Sequence, residues 1–427
     1  MKLGGTKYII GYDISDDYSQ ISYAPVGSDS VDTLSSVSGG EIFRIPTVLC
    51  KKSGENRWFY GNEALRMEKE DGILIRNLLT LAVDGEMRLI DGEEYDPVAL
   101  LTLFVKRSMG LLAQLGDVKI DSLVFTGRNM QPEMLEVLGK VVAAVKPGTD
   151  KVYFLSHGES YYYYMLYQQE ELWQFKSLLA DYHLGDRKLT VYELEVNRKT
   201  MPMAVFVDRG EYPVRYGVQQ VPSGEPGDDQ IRQRLDGQFL EVIKEICMNK
   251  MISSVYLIGE GFDGDWMQES LRYLCKGRRV FRGNNLFSKG ACYYGMERLS
   301  PGRTGAETVL LGQDNLRVNV GMNVYRQGQE SYLALLDAGV KWHEAEGVAE
   351  VYLQEDSYLE LLITPLTEHR AHKVKIHLTD LPGDISRIRI HLFFKEENIL
   401  VAELEDLGFG EIRPATGQIW SEEIKIC

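Results

Sequence analysis

The chain has 427 residues, of which 44% are apolar, and it carries a formal net charge of −16 with a pI near 5.1. This length suffices for two or three domains, and the negative charge argues against a general binder of nucleic acid or of anionic membranes. The five scattered cysteines lack a C-x-x-C pair and favour a reducing cytoplasm, and no apolar run predicts a signal peptide or a membrane span.

The first informative stretch is YIIGYDISDDYSQISYA, residues 8–24, which is typical of a strand, an acidic turn and a second strand. Asp13 stands where the first strand ends, the place at which open α/β sheets meet their ligands. A carboxylate there can hold a hydrated Mg²⁺ or orient a water. Ser15, Asp16 and Asp17 follow in the turn. A β-hairpin with a polar turn is the simpler alternative.

Alternating helices and strands follow. Apolar residues at helical spacing predict a helix over 96–116, which Gly116 can end. A strand is expected over 120–128 and a helix over 131–145, with proline in its first turn. This alternation predicts an α/β domain.

Two further stretches place acids at strand ends. VYFLSHGESYYYYMLYQ, residues 152–168, predicts a strand and then a helix that begins near Glu159 and carries a run of tyrosines. We interpret these tyrosines as a partly buried helix face. The stretch 177–196 predicts a second hairpin, with Asp181, Gly185 and Asp186 around its turn.

The last part of the α/β region and the C-terminal part differ in pattern. Residues 254–274 predict a strand, a turn with Gly259, Glu260 and Gly261, and a helix; Gly290 lies in a later helix. After a boundary near residues 301–307, segments such as KVKIHL and RIRIHL alternate polar and apolar residues. Such alternation predicts half-buried strands.

Five of these stretches, in the same order, resemble the actin, sugar-kinase and heat-shock ATPase superfamily, especially chaperones of the DnaK type. The first hairpin resembles a DLGTTNS-like turn, and the second resembles DLGGGTFDVS. The tyrosine helix occupies the place of EPTAAALAYG, and the glycine turn that of LVGGSTRIP. The residues that match are Asp13, Ser19, Glu159, Asp181, Gly185, Thr190, Gly259 and Gly290.

The resemblance implies an actin-like, two-lobed α/β ATPase domain over residues 1–312. An all-β sandwich over residues 318–427, like a chaperone substrate-binding domain without its helical lid, would follow. It implies that Asp13, Glu159 and Asp181 are catalytic and that Asp13 and Asp181 hold Mg²⁺. ATP or ADP would lie against Ser15, Asp16, Asp17, Gly185, Asp186, Gly259, Glu260, Gly261 and Gly290.

The sequence also departs from that pattern. Ser15 replaces a glycine, acids replace threonines at Asp16, Asp17 and Asp186, and no catalytic lysine aligns. One extra like charge at about 4 Å costs roughly 4 kcal/mol at an effective dielectric near 20, about a thousandfold in affinity. We therefore expect a chaperone-like protein with weak or absent nucleotide binding, which binds another polypeptide through its β-domain. The alternative is an active chaperone that hydrolyses Mg-ATP.

Overall fold

The computed structural model describes residues 5–37, 39–128, 130–183, 188–199, 202–214, 228–283, 285–312, 315–354, 358–366, 370–379 and 385–426. The chain divides into two compact units, Met1–Val309 and Leu310–Cys427. The first unit is mixed α/β with several sheets, and the second is built from antiparallel strands. This confirms the predicted order of an α/β part followed by an all-β part.

The elements of the first unit begin with two strands joined by a tight turn and end with a short strand at the division between the units. In chain order they are β1 (Thr6–Ile14), β2 (Tyr18–Pro25), β3 (Asp32–Thr33), β4 (Ile45–Pro46), β5 (Leu49–Lys52), β6 (Trp58–Tyr60), α1 (Gly61–Met67), β7 (Gly72–Ile75), α2 (Leu78–Asp84), β8 (Arg88–Ile90), β9 (Glu93–Tyr95), α3 (Pro97–Met109), β10 (Val118–Gly127), α4 (Pro132–Val145), β11 (Val152–Ser156), α5 (His157–Leu166), β12 (Lys176–His183), β13 (Lys188–Asn197), β14 (Met203–Pro213), α6 (Asp228–Cys247), β15 (Ile252–Ile258), α7 (Glu269–Leu274), β16 (Arg279–Arg282), α8 (Leu286–Leu299), α9 (Arg303–Ala306) and β17 (Thr308–Leu311).

The two large sheets of this unit repeat one strand order. The first has the order β11-β10-β1-β2-β3, and the second has β16-β15-β12-β13-β14, with β17 beyond β14. In both, the central strand is antiparallel to the next strand of the chain and parallel to a later one. The unit therefore consists of two halves with the same topology, although the sequence shows no clear repeat.

Helix α3 belongs to the core of the first half. The Asp96 side chain accepts from the Val98 backbone N–H, and Pro97 occupies the first turn, as helix starts favour. The face with Leu101 and Phe104 is buried against the sheet. Among the described residues, Pro97–Leu115 is the one stretch long and apolar enough to cross a membrane, by length and composition alone. Because a buried core helix passes the same test, this is weak evidence for a span.

Helices α5 and α8 join the two halves. A Cβ on Gly11 of β1 would lie 2.1 Å from the Ser288 carbonyl oxygen, so α8 rests directly on the first sheet. The Tyr161 hydroxyl of α5 donates to Ser177 Oγ of β12 at 2.6 Å, so α5 rests on the second sheet. Each helix thus packs on the sheet of the opposite half, since α5 follows the first sheet in the chain and α8 follows the second.

The second unit has two four-stranded antiparallel sheets that share one apolar core, which includes Val320, Leu361 and Ile390. The sheets have the orders β19-β18-β21-β22 and β20-β23-β24-β25. The strands are β18 (Val318–Arg326), β19 (Gln329–Leu336), β20 (Glu346–Gln354), β21 (Tyr358–Pro365), β22 (His372–His377), β23 (Ile385–Glu396), β24 (Ile399–Asp406) and β25 (Ile419–Lys425).

Candidate functional site

The two central strands, β1 and β12, bring their acids to one place. Asp13 pairs in register with Thr126 of β10, and Asp181 pairs with Ile258 of β15. Both acids line one cavity of about 40 Å³ between the halves. The described residues that line it are Asp13, Ser15, Tyr18, Gln20, Arg44, Arg128, His157, Asp181, His183, Ile258, Gly259 and Phe287.

Each of the two carboxylates faces a histidine. His157 Nε2 lies 2.8 Å from Asp13 Oδ1, and the His157 ring stacks on Phe287 with centroids 3.7 Å apart. His183 Nε2 lies 2.8 Å from Asp181 Oδ1. The other nitrogen of His183, Nδ1, lies 2.9 Å from Glu260 Oε2, so this ring bridges two carboxylates.

The pKa shifts follow from these contacts. Burial alone would raise the pKa of Asp181, but the His183 and Arg128 cations beside it lower that pKa to about 2. Burial alone would lower the pKa of His183, yet the carboxylates of Asp181 and Glu260 raise it well above its usual value. We therefore describe His183 as an imidazolium that donates from Nδ1 to Glu260 and forms an ion pair with Asp181.

Two arginines connect the halves at this cavity. Arg128 follows β10 in the first half, and its Nη2 donates to Asp181 Oδ2 of the second half at 3.4 Å. Arg44 of the first half donates to Asp263 Oδ2 of the second at 2.7 Å, and its guanidinium lies 5.9 Å from the Tyr18 ring centroid. These contacts tie the halves together through charged side chains.

The residues of the first turn have separate places. Ser15 lines the cavity, and its Oγ donates to the Tyr18 carbonyl oxygen at 2.8 Å. The carboxylate of Asp16, which the resemblance places against phosphate, accepts from the Leu79 N–H at 2.7 Å and the Thr80 hydroxyl at 2.6 Å, at the start of α2. The Asp17 carbonyl oxygen accepts from the Thr47 N–H at 3.0 Å. The carboxylate of Asp16 therefore holds α2 against the first turn.

Glu159 forms the start of α5. Its Oε2 accepts from the Ser156 N–H at 2.7 Å, and the Ser156 hydroxyl accepts from the Glu159 N–H at 3.2 Å, which is a capping box. The two contacts satisfy backbone donors that the first turn of a helix leaves free. The structure thus gives this carboxylate a helix-capping role at the end of β11.

The glycines of the site are required by close approach. Gly259 has φ +96°, and a Cβ on Gly261 would lie 2.1 Å from the Tyr182 ring. A Cβ on Gly290 of α8 would lie 1.9 Å from the Ser160 carbonyl oxygen of α5. The predicted residues Gly185 and Asp186 lie outside the described residues.

The cavity is small compared with ordinary ligand pockets. Ordinary small-molecule pockets measure about 300–1,000 Å³, and this cavity has about 40 Å³. Within the described part of the chain, no group of three or more His, Cys, Asp or Glu side chains is arranged to hold a metal ion. The carboxylates that would hold Mg²⁺ have side chains of this chain as neighbours: His157 lies beside Asp13, and His183 and Arg128 lie beside Asp181.

Sequence reasoning placed Asp13 and Asp181 correctly at strand ends but did not single out His157, Arg128 and Arg44. His157 offers a usable signal, since it begins a helix directly after a strand, and His183 stands two residues beyond Asp181. The arginines offer no local signal, because the fold alone brings them to the acids.

Comparison with known proteins gives families without an assigned function. A profile described as a domain of unknown function (DUF8552) matches residues 315–426. A search of curated proteins finds no match. A profile described as the C-terminal part of a family of unknown function (DUF5716) matches residues 30–313, more than half of the chain. The chain therefore belongs to this DUF5716 C-terminal family.

Proposed function

We propose that the first unit has an actin-like, two-lobed ATPase fold whose nucleotide site is closed by the chain's own side chains. The repeated strand order supports two lobes of common design. The convergence of Asp13 and Asp181 supports a former phosphate and Mg²⁺ site between them. The protein would then be a chaperone-like module of the reducing cytoplasm that binds a polypeptide without turnover of ATP. The free thiols of Cys50, Cys247 and Cys292 suit such a compartment.

The pairing of both acids with histidines carries this proposal. A nucleotide with Mg²⁺ would have to break the Asp13–His157 and Asp181–His183 pairs. Separating a buried charge pair costs about 3–5 kcal/mol, whereas micromolar binding supplies about 8 kcal/mol in total. The Asp181–His183 pair alone therefore offsets about half of the free energy that would hold a nucleotide.

A strand edge in the second unit supports the proposed binding of an extended polypeptide. The ladder between β18 and β21 runs from Val318–Pro365 to Gly321–Leu362. Beyond Gly321, β18 pairs with β19 alone among the described strands. A strand edge with unpaired backbone groups can accept an added strand. Residues 322–326 of β18 therefore form the surface on which we place the polypeptide.

An active ATPase remains the second candidate, because the two carboxylates still meet at one point. Calorimetry of the full chain with Mg-ATP and Mg-ADP separates the two. We expect no binding at millimolar nucleotide by the unmodified protein, and measurable binding by His183→Gly, which removes the histidine that Asp181 would exchange for Mg²⁺. Micromolar affinity in the unmodified protein would refute the closed site.

A matched control exists in the second unit. His391 also lies between two carboxylates, with Nε2 2.9 Å from Glu346 Oε1 and Nδ1 3.5 Å from Glu403 Oε2. His391→Gly should leave nucleotide binding as it is in the unmodified chain. If both glycine variants bind nucleotide equally, the effect does not come from the Asp181 site.

A further inference from the structure

A second and larger cavity lies in the second half of the first unit, between α6 and the ends of β12, β13 and β14. It has a volume of about 250 Å³ and shares no described lining residue with the cavity around Asp13 and Asp181. The described residues that line it are Tyr182, Leu189, Tyr212, Pro213, Val214, Leu235, Gln238, Phe239, Glu241, Val242, Glu245 and Trp266.

The inner wall is apolar, aromatic and fixed. Leu235 and Trp266 are each 2% exposed. The rings of Phe239 and Trp266 meet edge to face with centroids 5.8 Å apart. The Trp266 Nε1 donates to the Gly261 carbonyl oxygen at 3.0 Å, which holds the indole in place. Packed rings of this kind offer a preformed surface to a flat apolar body, and their faces attract cations.

The size of the cavity limits the ligand. An apolar cavity of about 150 Å³ accommodates benzene, and this one is larger by about the volume of a second ring. A body of two fused rings therefore fits within it. The volume lies just below the usual range of about 300–1,000 Å³ for drug-sized ligands.

The negative charge of two glutamates at the cavity further restricts the charge of its ligand. Glu241 and Glu245 are both exposed, stand one helical turn apart on α6, and form no ion pair with another described residue. Like charges at this spacing repel each other. The described lining contains no Lys, Arg or His. A bound ammonium group would relieve the repulsion, whereas a carboxylate on the ligand would add to it.

We infer that this cavity binds a small bicyclic apolar molecule that carries a protonated amine. The ring system lies against Phe239 and Trp266, and the ammonium group lies at the rim beside Glu241 and Glu245. The inference is independent of the closed nucleotide site, because the two cavities use different residues.

Calorimetry of the full chain with three probes tests the inference. Tryptamine, indole and indole-3-acetate share one ring system and differ in charge, which is positive, neutral and negative respectively. We expect tryptamine to bind about tenfold more tightly than indole, since two exposed charge contacts supply about that factor, and indole-3-acetate to bind most weakly. Absence of binding by all three at millimolar concentration, or equal affinity for all three, would overturn it.

Two variants locate the site. The double change Glu241→Gln and Glu245→Gln, at exposed positions, should reduce the affinity for tryptamine to that for indole. Glu269→Gln on the exposed face of α7 is the control and should leave the affinity for tryptamine unchanged. Val242→Phe, which fills the cavity, should abolish binding of indole. An unchanged preference for tryptamine in the double variant would contradict the inference even if Val242→Phe fails to fold.

Discussion

His183 lies between Asp181 and Glu260, and this position couples the stability of the first unit to pH. The pKa of His183 is raised in the folded chain, because its carboxylate neighbours outweigh burial. Its stabilisation is therefore complete below about pH 6.5, the pKa of an unperturbed histidine, and is lost as pH rises through the raised value. The pKa of Asp181 is lowered to about 2, so its stabilisation is complete above about pH 4 and lost toward pH 2.

Urea unfolding across pH 2–10 measures this coupling. We expect the free energy of unfolding to fall on both sides of an intermediate plateau. His183→Gln should lower the plateau by about 3 kcal/mol, because it removes one of the two cations beside a buried carboxylate, and should remove the decrease on the alkaline side. His391→Gln, at a more exposed histidine, is the control. An alkaline decrease of equal size in the His183 variant would show that another group causes it.

The sequence predicted the acids of the site but not their neighbours. Asp13 and Asp181 follow apolar strands, a local pattern that marks the end of a strand. His157 reaches Asp13 across 144 positions of the chain, and Asp16 reaches α2 across 63. Such contacts depend on how α5 and α2 pack on the sheets, which no local pattern encodes.

Helices α5 and α8 cross at a glycine, and that crossing sets the distance between the two halves. A methyl group at Gly290 would lie 1.9 Å from the Ser160 carbonyl oxygen. Because neither backbone can yield locally, Gly290→Ala should destabilise the protein by about 1–3 kcal/mol, as overpacked cores do. Thermal and urea unfolding of the full chain measure the change.

Gly139 in α4 provides the matched control for this prediction. No heavy atom lies within 4 Å of the position that its Cβ would occupy. Gly139→Ala should therefore stabilise the helix by about 0.5–1 kcal/mol, the intrinsic preference for alanine in a helix. Equal effects of the two substitutions would show that α5 and α8 do not meet at Gly290.

The periodicity of apolar residues located the helices and strands, but it did not show how they are arranged in the fold. The helix expected over 96–116 consists of α3, Pro97–Met109, and a 3₁₀ helix, Gly110–Leu115. The alternation in RIRIHL lies within β23, Ile385–Glu396. The repeated strand order was not visible, because each half joins strands that are distant in the chain and the two halves fill their cores with different residues.

For the whole molecule, we expect the second unit to bind an extended polypeptide independently of nucleotide. A labelled, permanently unfolded polypeptide can be titrated against the full chain and followed by fluorescence anisotropy. Tyr325 of β18 is 82% exposed, so Tyr325→Glu should weaken binding about tenfold without disturbing the core. Mg-ATP should leave the dissociation rate unchanged.

Tyr352 of β20 is the control for that measurement, since it is 66% exposed on the other sheet of the same unit. Tyr352→Glu should bind the polypeptide as the unmodified chain does. Equal losses of affinity in the two variants would show that the polypeptide does not bind at β18. Faster release with Mg-ATP would instead favour a nucleotide-driven chaperone.

The strand order of the first half also determines when its strands can pair during synthesis on the ribosome. β1 pairs with β2 across a short turn, and the pair nearest the turn is Ile14 with Ser19. This hairpin can therefore form as soon as both strands have left the ribosome. The other neighbour of β1 is β10, where Thr6 pairs with Val118. At about 5–20 residues per second, that strand follows roughly 5–20 s later. Until then the hairpin presents an unpaired strand edge beside the apolar side chains of Ile9 and Ile10, an aggregation hazard that the nascent chain carries before its first core can form.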